Sequence, residues 1–408
     1  MSIFLTLFLA LSAIVILLRF HQPIGVAMFA AAILVWGMES PHWASLESGL
    51  RQTLLGERTW ALLLALYFVM CLEVQLRRSQ TLSKMLGALG QICSPRLTLA
   101  IMPAFLGLLP SIGGARFSAP IVKEGAEPLG VAPHHGAAIN FWFRHVFEFA
   151  SPIIPGMILG CAIAKINVGD LVLHLFWLSI LAFLLGWIVL IRPIKVSPEK
   201  AAQLKAASRQ AEGHLSDIVL AIAPVAVSVV LMLLFNMSAA VAMGVVVLGM
   251  FPILYARGRG VNVLATFKEA FDGKLILNIF GILFFIAMLT STGTLAHLVD
   301  VLRSSALPFP MVVALIAFFV GVLTGMSQGH VAIVMPIVAM MTPGNLNWVG
   351  VAMVFGVAGQ MLTPTHVCLT LSVDYFKASF SKTLLPVFVA EAILLSVFVG
   401  VTALQTSL

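Results

Sequence analysis

The sequence predicts an all-α membrane protein with about ten transmembrane helices and two re-entrant hairpins, arranged as inverted five-span repeats. Three observations lead to this fold class. The 408 residues are 61% hydrophobic and only 10% charged, whereas soluble domains contain about 25% charged residues. Apolar runs of roughly 20 residues, long enough to cross a hydrocarbon core of about 30 Å, recur along the chain. The order of these runs in the first half is repeated in the second.

The first repeat, residues 1–191, contains five predicted spans. Its first apolar run, IFLTLFLALSAIVILL, lacks the preceding basic segment and the following small-residue cleavage site of a removed signal peptide, so we expect this run to be retained. The five spans lie near residues 3–20, 23–38, 59–76, 137–160 and 171–191.

A polar linker at residues 192–216 separates the repeats. Cytoplasmic loops are rich in Lys and Arg, so the linker is predicted to be cytoplasmic. Its five basic residues are Arg192, Lys195, Lys200, Lys205 and Arg209. The second repeat, residues 217–408, has predicted spans near 217–235, 238–256, 274–292, 349–372 and 384–404, of which 349–372 is predicted to be a broken helix.

One further apolar segment in each repeat, 97–122 and 308–341, is predicted to be a re-entrant hairpin. If residues 97–122 crossed the membrane once, the basic linker would face outward, against the positive-inside rule. An arm of about 12 residues reaches roughly 18 Å, a little past the middle of the bilayer. This topology places both termini outside and most of the 23 Lys and Arg residues on the cytoplasmic side of the inner (plasma) membrane. Because each repeat has an odd number of spans, the second is inverted relative to the first.

The repeat is also visible as similarity between the amino-acid sequences of the two halves. FLGLLPSIGGARFSAPIV, from Phe105, resembles FVGVLTGMSQGHVAIVMPIV, from Phe319, and the match aligns Gly107 with Gly321. A weaker match of HVFEFASP with VAGQMLTP aligns Glu148 with Gln360 and Ser151 with Thr363.

The two hairpin tips are predicted to bind a ligand. Broken backbone at membrane depth is tolerated only inside protein or beside a wet cavity, and glycines leave backbone amides accessible there. The tip residues that we expect to contact a substrate are Ser111, Gly113 and Gly114 in the first hairpin and Ser327, Gln328 and Gly329 in the second.

Arg116 lies on the first turn after the first tip and adds a positive charge to a helix N-terminus. The two features together can clamp a carboxylate. The alternative is that Arg116 pairs with an acid such as Glu148, or reaches an interface, and only holds the hairpin. Charges at membrane depth are costly and usually functional, which favours anion binding.

The fourth span contains Arg144, His145 and Glu148 within little more than one helical turn, with Arg144 and Glu148 predicted to share one face. Prolines just beyond them should interrupt the helix and free carbonyl groups. Glu148 is the predicted carrier of a coupling proton, and a permanent ion pair with Arg144 is the alternative. The predicted coupling-ion residues are His145, Glu148, Ser151 and Thr363.

In the second repeat, two histidines follow the tip and the proline break, and each can contact substrate or exchange a proton near neutral pH. A purely structural role is the alternative for both. The remaining predicted substrate-binding residues are Arg144, His330, Thr363, Thr365 and His366.

The composition and motifs exclude several other classes of protein. The cysteines show no C-x-x-C spacing and no histidine in a ligand pattern, so they are read as packing residues, and no metal or cofactor is predicted. The basic residues are scattered through loops, which argues against a nucleic-acid partner. No H-E-x-x-H or P-loop motif is present, and the one match to G-x-S-x-G, GMSQG at residues 325–329, lies in a predicted hairpin tip and not between a strand and a helix. The chain is therefore not predicted to be an enzyme, although His145 and Glu148 would be an acid/base pair if it were.

The segments Gly107 to Val122 and Gly321 to Val338, together with Ser151-Pro152 and Thr363-Pro364, resemble those of the ion transporter superfamily of carboxylate, gluconate, arsenite and sodium/proton carriers. More narrowly, PSIGGARFSAPIV and LTPTHVCLTLSVDYF resemble an uncharacterised domain-of-unknown-function family of prokaryotic integral membrane proteins, over nearly the whole chain.

The resemblance implies a scaffold domain and a mobile transport domain that moves like an elevator, in a homodimer. The tips lack the Ser-Asn-Thr signature of the sodium-coupled dicarboxylate branch, so protons are favoured over Na⁺ as the coupling ion. The expected function is proton-coupled symport of a small organic anion, a carboxylate, across the lipid bilayer. A sodium/proton-type cation antiporter is the alternative, and an intramembrane enzyme is a weaker one.

Overall fold

The computed structural model describes the backbone of residues 3–108, 115–208, 212–304 and 307–407, without the side chains of 116, 117, 205, 207, 208 and 405–407. Within these ranges the chain forms α-helices and loops and no β-strand, which confirms the all-α prediction. Before the linker the helices are α1 (Ile3–Arg19), α2 (Ile24–Glu39), α3 (Trp43–Leu55), α4 (Glu57–Arg78), α5 (Thr81–Ile92), α6 (Pro95–Gly107), α7 (Ala115–Ala126), α8 (Pro133–His145), α9 (Pro155–Ala164) and α10 (Val168–Gly186).

The linker contains α11 (Pro198–Ser208), and ten helices follow it. A short 3₁₀ turn at Glu127–Leu129 follows α7, and a π-helical turn at Trp187–Ile191 extends α10. The helices after the linker are α12 (Leu215–Leu234), α13 (Ala239–Ala256), α14 (Val263–Glu269), α15 (Gly273–Ser291), α16 (Thr294–Arg303), α17 (Phe309–Thr324), α18 (Ser327–Met341), α19 (Leu346–Met361), α20 (Val367–Phe376) and α21 (Phe380–Ser407).

Six helical segments are long and apolar enough to cross a membrane, within the described residues. They comprise α4, α12, α13, α15, α10 with its π-helical turn, and α21 up to Leu404. Many large apolar side chains on these and neighbouring helices are exposed, among them Phe8, Leu184 and Leu248. An exposed apolar surface of this kind requires lipid around it, so the chain is a multi-pass membrane protein.

Helix ends follow local sequence signals. Side-chain oxygens of Ser94, Asn167, Ser238, Asp272 and Asn345 accept hydrogen bonds from backbone N–H groups in the first turns of α6, α10, α13, α15 and α19. These caps satisfy donors that a helix N-terminus otherwise leaves without a partner. Four short helices, α3, α5, α14 and α16, lie between the predicted spans and were not predicted, because their mixed polar and apolar residues do not stand out in hydropathy.

The predicted fourth spans of both halves are discontinuous. Residues 137–160 form α8 and α9 with a non-helical segment at 146–154, and residues 349–372 form α19 and α20 with a break at 362–366. A proline has no N–H to donate and its ring collides with the carbonyl four residues earlier, so Pro152, Pro155 and Pro364 account for the breaks. The first break begins right after His145, earlier than Ser151-Pro152 would suggest.

Helix contacts between the halves come in matched pairs. The ten described helices before α11 can be matched in chain order with the ten after it, the first with the first and so on. In this matching α2 corresponds to α13, α4 to α15, α7 to α18 and α9 to α20. Helix α4 packs on α13, and α15 packs on α2; α18 packs on α9, and α20 on α7. The two halves are therefore interleaved rather than separate domains.

Candidate substrate and coupling site

A cavity of about 280 Å³ lies between two groups of helices, and we call it the central cavity. One wall is formed by the middle of α4 and the first residues of α15. The other is formed by the end of α8, both proline breaks and the connection between α17 and α18. The charged residues that line it are Arg144, Glu148, Asp272 and Lys274.

Glu148 joins three segments in this cavity. Its carboxylate Oε1 accepts a hydrogen bond from Ser327 Oγ at 2.9 Å and another from Gln360 Nε2 at 3.2 Å. Ser327 is the first residue of α18, and Gln360 lies in the last turn of α19. One carboxylate of the first half therefore connects to both a helix start and a broken helix of the second half.

Arg144 and Glu148 do not share a helix face as predicted. Helix α8 ends at His145, so Glu148 lies in the non-helical segment and the spacing of one helical turn is lost. Arg144 is buried and its Nη1 donates a hydrogen bond to the carbonyl of Leu106, 3.2 Å away, at the end of α6. The carbonyl end of a helix carries a partial negative charge, so α6 helps to stabilise the guanidinium.

Glycines allow these segments to approach closely. A Cβ on Gly107 would collide with the backbone carbonyl of Arg144, and a Cβ on Gly321 would collide with that of Gly356. The two contacts correspond to each other in the sequence alignment that pairs Glu148 with Gln360. In each half, the helix before the tip thus rests against the broken helix at a glycine.

Two histidines meet at the inner wall of the cavity. His145 Nε2 and His366 Nε2 are 3.0 Å apart, and His145 Nδ1 lies 2.7 Å from the carbonyl oxygen of Phe141. The ring of Phe141 packs against both imidazoles. Cys368, two residues after His366, also lines the cavity.

Other predicted residues lie outside the cavity lining. His330 is fully buried, its ring lies against Gly356, and neither of its ring nitrogens has a hydrogen-bond partner among the described residues. Gly329, in the first turn of α18, packs against Thr324 at the end of α17. The structure therefore brings Ser327 and Gln328 of the second tip into the cavity and leaves the next two residues behind it.

The hydroxyl residues of the breaks have structural contacts. Thr363 and Thr365 bond to each other at 2.9 Å through their Oγ1 atoms, and Thr365 Oγ1 donates to the carbonyl of Val322 at 3.3 Å. Ser151 is fully buried, and its hydroxyl has no hydrogen-bond partner among the described residues. None of the three belongs to the cavity lining, as far as the described part of the chain defines it.

Part of the predicted site lies outside the described residues, namely Ser111, Gly113, Gly114 and the side chain of Arg116. Arg116 is the second residue of α7, and the structure describes only its backbone. Sequence reasoning also missed lining residues: Asn278 and Lys274, which belong to a predicted span, and Cys368, which was read as a packing residue. Gln360 was aligned with Glu148 but not selected, although that alignment was a usable signal.

A second cavity, of about 500 Å³, lies at the opposite end of the α4 and α15 pair. It is lined by the start of α4 with Glu57 and Arg58, the second half of α15, the end of α9 with Lys165, and the end of α18. Helices α9 and α18 thus contribute their first residues to the central cavity and their last residues to the second one. The same helices separate the two cavities.

The chain matches one protein family and is similar in fold to a solved transporter structure. Residues 2–404 match the model of a family described as "Protein of unknown function (DUF401)". No curated protein matches the chain. Among solved structures, the fold is similar to that of the YdaH transporter from Alcanivorax borkumensis, described as having an unusual topology, with 14% identity and a TM-score of 0.61 over 91% of this chain and 90% of that one. At this identity the likeness concerns the fold alone.

Proposed function

Since the chain belongs to the DUF401 family of proteins of unknown function, we propose from its geometry that it is a secondary active transporter of a small organic anion, a carboxylate, coupled to protons. The sequence resemblance to a domain-of-unknown-function family is thereby confirmed. Membership of the ion transporter superfamily stays a prediction.

The observation that carries the proposal is the set of positive groups around the central cavity. The first residues of α9, α18 and α20 all line it, and none of these helix starts has a side-chain cap. Helix N-termini have unpaired N–H groups and a partial positive charge, which suit an anion. Arg144 adds a formal charge on the same wall and has the fork geometry that binds a carboxylate with two hydrogen bonds.

Proton coupling is supported by the ionisable groups beside this anion site. Glu148 accepts both of its hydrogen bonds at Oε1, from Ser327 and Gln360. The second carboxylate oxygen is a place for a proton, which would neutralise Glu148 when an anion enters. His145 and His366 lie on the same wall as further proton acceptors.

Alternating access is supported by the two cavities at opposite ends of α4 and α15. We propose that α6 to α9 and α17 to α20 form the transport domain, which slides against a scaffold containing α4 and α15. Helices α6 and α7 have 13 and 12 residues, about 20 Å each, too short to cross a 30 Å core. Short helices and matched contacts between the halves are what re-entrant hairpins and inverted repeats require.

The proposal includes a membrane topology and an oligomeric state. We place the chain in the inner (plasma) membrane with residues 192–216 in the cytoplasm and both termini outside, as a homodimer. The lipid bilayer and the anion are its partners, with no cofactor other than the coupling ion and no nucleic acid. Asp272 and Lys274, at the mouth of the central cavity, belong to the predicted cytoplasmic side, so the described conformation corresponds to an inward-facing one.

One observation favours a cation antiporter as the second candidate. Gln360 Oε1 is buried without a hydrogen-bond partner in the described structure, and it belongs to the residue that donates to Glu148. Amide and carboxylate oxygens are ligands that Na⁺ or another hard cation accepts. We propose no catalytic activity.

The experiment that tests the proposal is thermal unfolding of purified protein with a panel of carboxylates, phosphonates, Na⁺ and Li⁺. A ligand at about 100 times its Kd should raise the free energy of unfolding by about 2.7 kcal/mol. The variants are Arg144→Ala, Arg144→Lys, which keeps the charge without the fork, and Arg116→Ala at the first tip. Arg303→Ala, an exposed arginine of α16, is the matched control.

We expect one class of carboxylates to stabilise the wild type and Arg303→Ala and to have at least tenfold weaker affinity for the Arg144 variants. Stabilisation by Na⁺ alone, equal in all variants, would favour the antiporter. Stabilisation by anions that is unchanged in Arg144→Ala would place the anion site elsewhere.

A further inference from the structure

Three side chains in the wall of the central cavity form a cluster of metal-ligand type. One ligand atom from each of His145, His366 and Cys368 lies within 4.8 Å of the others. His145 and His366 are buried, and Cys368 is half-buried where it lines the cavity. The residues come from two breaks, the end of α8 and the start of α20, that are more than 200 residues apart in the chain. We propose that they form a binding site for a borderline-soft divalent metal ion, of which Zn²⁺ is the example.

The hydrogen bonds prepare His145 for this role. A carbonyl oxygen can only accept, so the 2.7 Å contact with Phe141 requires the proton on His145 Nδ1. In a neutral imidazole the lone pair is then on Nε2, the atom that faces His366. Metal-bound histidines typically have their other ring nitrogen held by a carbonyl in this way.

The second proposed ligand is the Nε2 atom of His366, and the hydrogen bonds of this ring differ from those of His145. With a lone pair on His145 Nε2, the 3.0 Å contact requires His366 Nε2 to donate its proton. His366 Nδ1 is then a buried acceptor that no donor meets among the described residues. The backbone of Gln360 acts on this ring as a hydrogen-bond acceptor, which suits the other tautomer, with the proton on Nδ1 and the lone pair on Nε2. When a metal ion binds between the rings, the proton of His366 Nε2 moves to Nδ1 and the Cys368 thiol releases its proton to water, so that two imidazole lone pairs and a thiolate replace the single hydrogen bond between His145 and His366.

The spacing and chemistry fit zinc better than magnesium or calcium. Two nitrogen ligands at about 2.0–2.1 Å in a tetrahedral site are about 3.3 Å apart, close to the 3.0 Å between the two Nε2 atoms. The three ligand atoms lie within 4.8 Å of one another, so a shift of the sulfur by at most about 1 Å brings it to bonding distance. Imidazole and thiolate ligands select zinc-like ions, whereas Mg²⁺ and Ca²⁺ prefer oxygen.

Three protein ligands leave the fourth tetrahedral position open, and all three residues line the central cavity, from which a fourth ligand can enter. Arg144 also interacts with the Cys368 side chain, so the ion and the guanidinium compete for the sulfur. The bound ion would tie the two broken helices together within one helix group. This inference concerns binding only and does not depend on the proposed transport.

The test uses Co²⁺ as the probe, on reduced, chelator-treated full-length protein in detergent with any affinity tag removed. We expect one Co²⁺ per chain, a thiolate-to-cobalt charge-transfer absorption band, and displacement by Zn²⁺. Cys368→Ser should abolish the band, and His145→Gln and His366→Gln should each weaken binding by about tenfold or more. The matched controls are Cys93→Ser and His330→Gln, which remove a buried thiol and a buried imidazole elsewhere.

A second measurement needs no variant. In the wild type, Zn²⁺ should slow alkylation of Cys368 by about tenfold and leave Cys93 unaffected, as read by mass spectrometry of the peptides. Folded wild type that binds no Co²⁺, or binds it without a thiolate band, would overturn the proposal. So would equal protection of both cysteines, or a Cys368→Ser variant with the wild-type spectrum.

Discussion

Glu148 is the residue whose environment ties the central cavity to protonation. Its partners, Ser327 and Gln360, both donate to the same oxygen. An ionised carboxylate is only an acceptor, whereas its protonated form can also donate. A change of protonation therefore alters the contacts that this side chain makes with α18 and α19 at once.

Replacing Glu148 with Gln tests this role. The amide oxygen of Gln can still accept from Ser327, so the fold should persist while the ionisable group is lost. In Glu148→Gln we expect the uptake of the carboxylate anion into proteoliposomes to lose its dependence on pH. The affinity for the anion should change by less than about tenfold. Glu124→Gln, an exposed carboxylate of α7, is the control and should keep the wild-type pH profile. A wild-type profile in Glu148→Gln would remove this residue from proton coupling.

The sequence could predict which residue types form the site but not which of them meet. Arg144, His145, Glu148 and His366 were selected as ionisable groups in or beside apolar segments, where such groups are costly, and Ser327 and Gln328 were selected as tip residues. His145 and His366 are 221 residues apart, and no spacing rule within one segment indicates such a pair. His330 satisfied the same rule, yet the structure buries it against Gly356 behind the cavity.

At the scale of helices, glycine positions decide how closely the segments approach. Gly107 and Gly321 rest against backbone carbonyls of α8 and α19. A carbonyl belongs to the main chain and cannot move aside as the end of a long side chain can. These two contacts therefore fix the distance between α6 and α8 in the first half and between α17 and α19 in the second.

We expect Gly107→Ala and Gly321→Ala each to lower the free energy of unfolding by about 2–4 kcal/mol, because an added methyl group must push two helices apart. Gly37→Ala is the control, since a methyl group there meets no atom within 4 Å and alanine is the better helix former. That control should be neutral or stabilising by up to about 1 kcal/mol. Thermal unfolding in detergent measures all three, and equal stability of Gly107→Ala and Gly37→Ala would contradict the close packing.

Helix breaks were more predictable than helix ends. Prolines at 152, 155 and 364 act locally, so the discontinuity of both fourth spans could be read from the letters. The end of α8 at His145 could not, since the nearest proline lies seven residues further on and Glu148, just beyond this end, has its hydrogen-bond partners in the second half of the chain. Helices α3, α5, α14 and α16 also depend on neighbouring helices to cover their apolar sides.

At the scale of the whole molecule, two cavities share one dividing layer. Helices α9 and α18 line the central cavity with their first residues and the second cavity with their last. If this layer slides along α4 and α15, one cavity must shrink as the other grows. A rearrangement within one wall of one cavity would not link the volumes of the central cavity and the second cavity in this way.

Labelling of single cysteines tests this linkage. In a background with serine at the four native cysteine positions, Met70→Cys reports on the central cavity and Ile286→Cys on the second. A ligand with tenfold preference for one state should change the ratio of their maleimide labelling rates by about tenfold, with the two rates moving in opposite directions. Ser83→Cys, exposed on α5, is the control with a constant rate. Parallel changes at Met70→Cys and Ile286→Cys would contradict sliding.

The all-helical architecture could be predicted because apolar runs of spanning length recur along the chain, and within the described residues ten α-helices lie on each side of α11. The pairing across the halves could not, since α4 with α13 and α2 with α15 are contacts between distant segments. Hydropathy shows where the long apolar helices of a chain lie, whereas packing between helices depends on side-chain shapes that hydropathy does not record.

The interleaving of the halves has a consequence for synthesis of the protein. His145 and His366 are separated by 221 residues, which a ribosome adds in about 10–45 s at roughly 5–20 residues per second. During that interval the newly made Arg144 and Glu148 have no second half to pack against. Lipid, the insertion machinery or chaperones must shelter them. The period between the two halves is thus when a nascent chain is most exposed to misfolding and degradation.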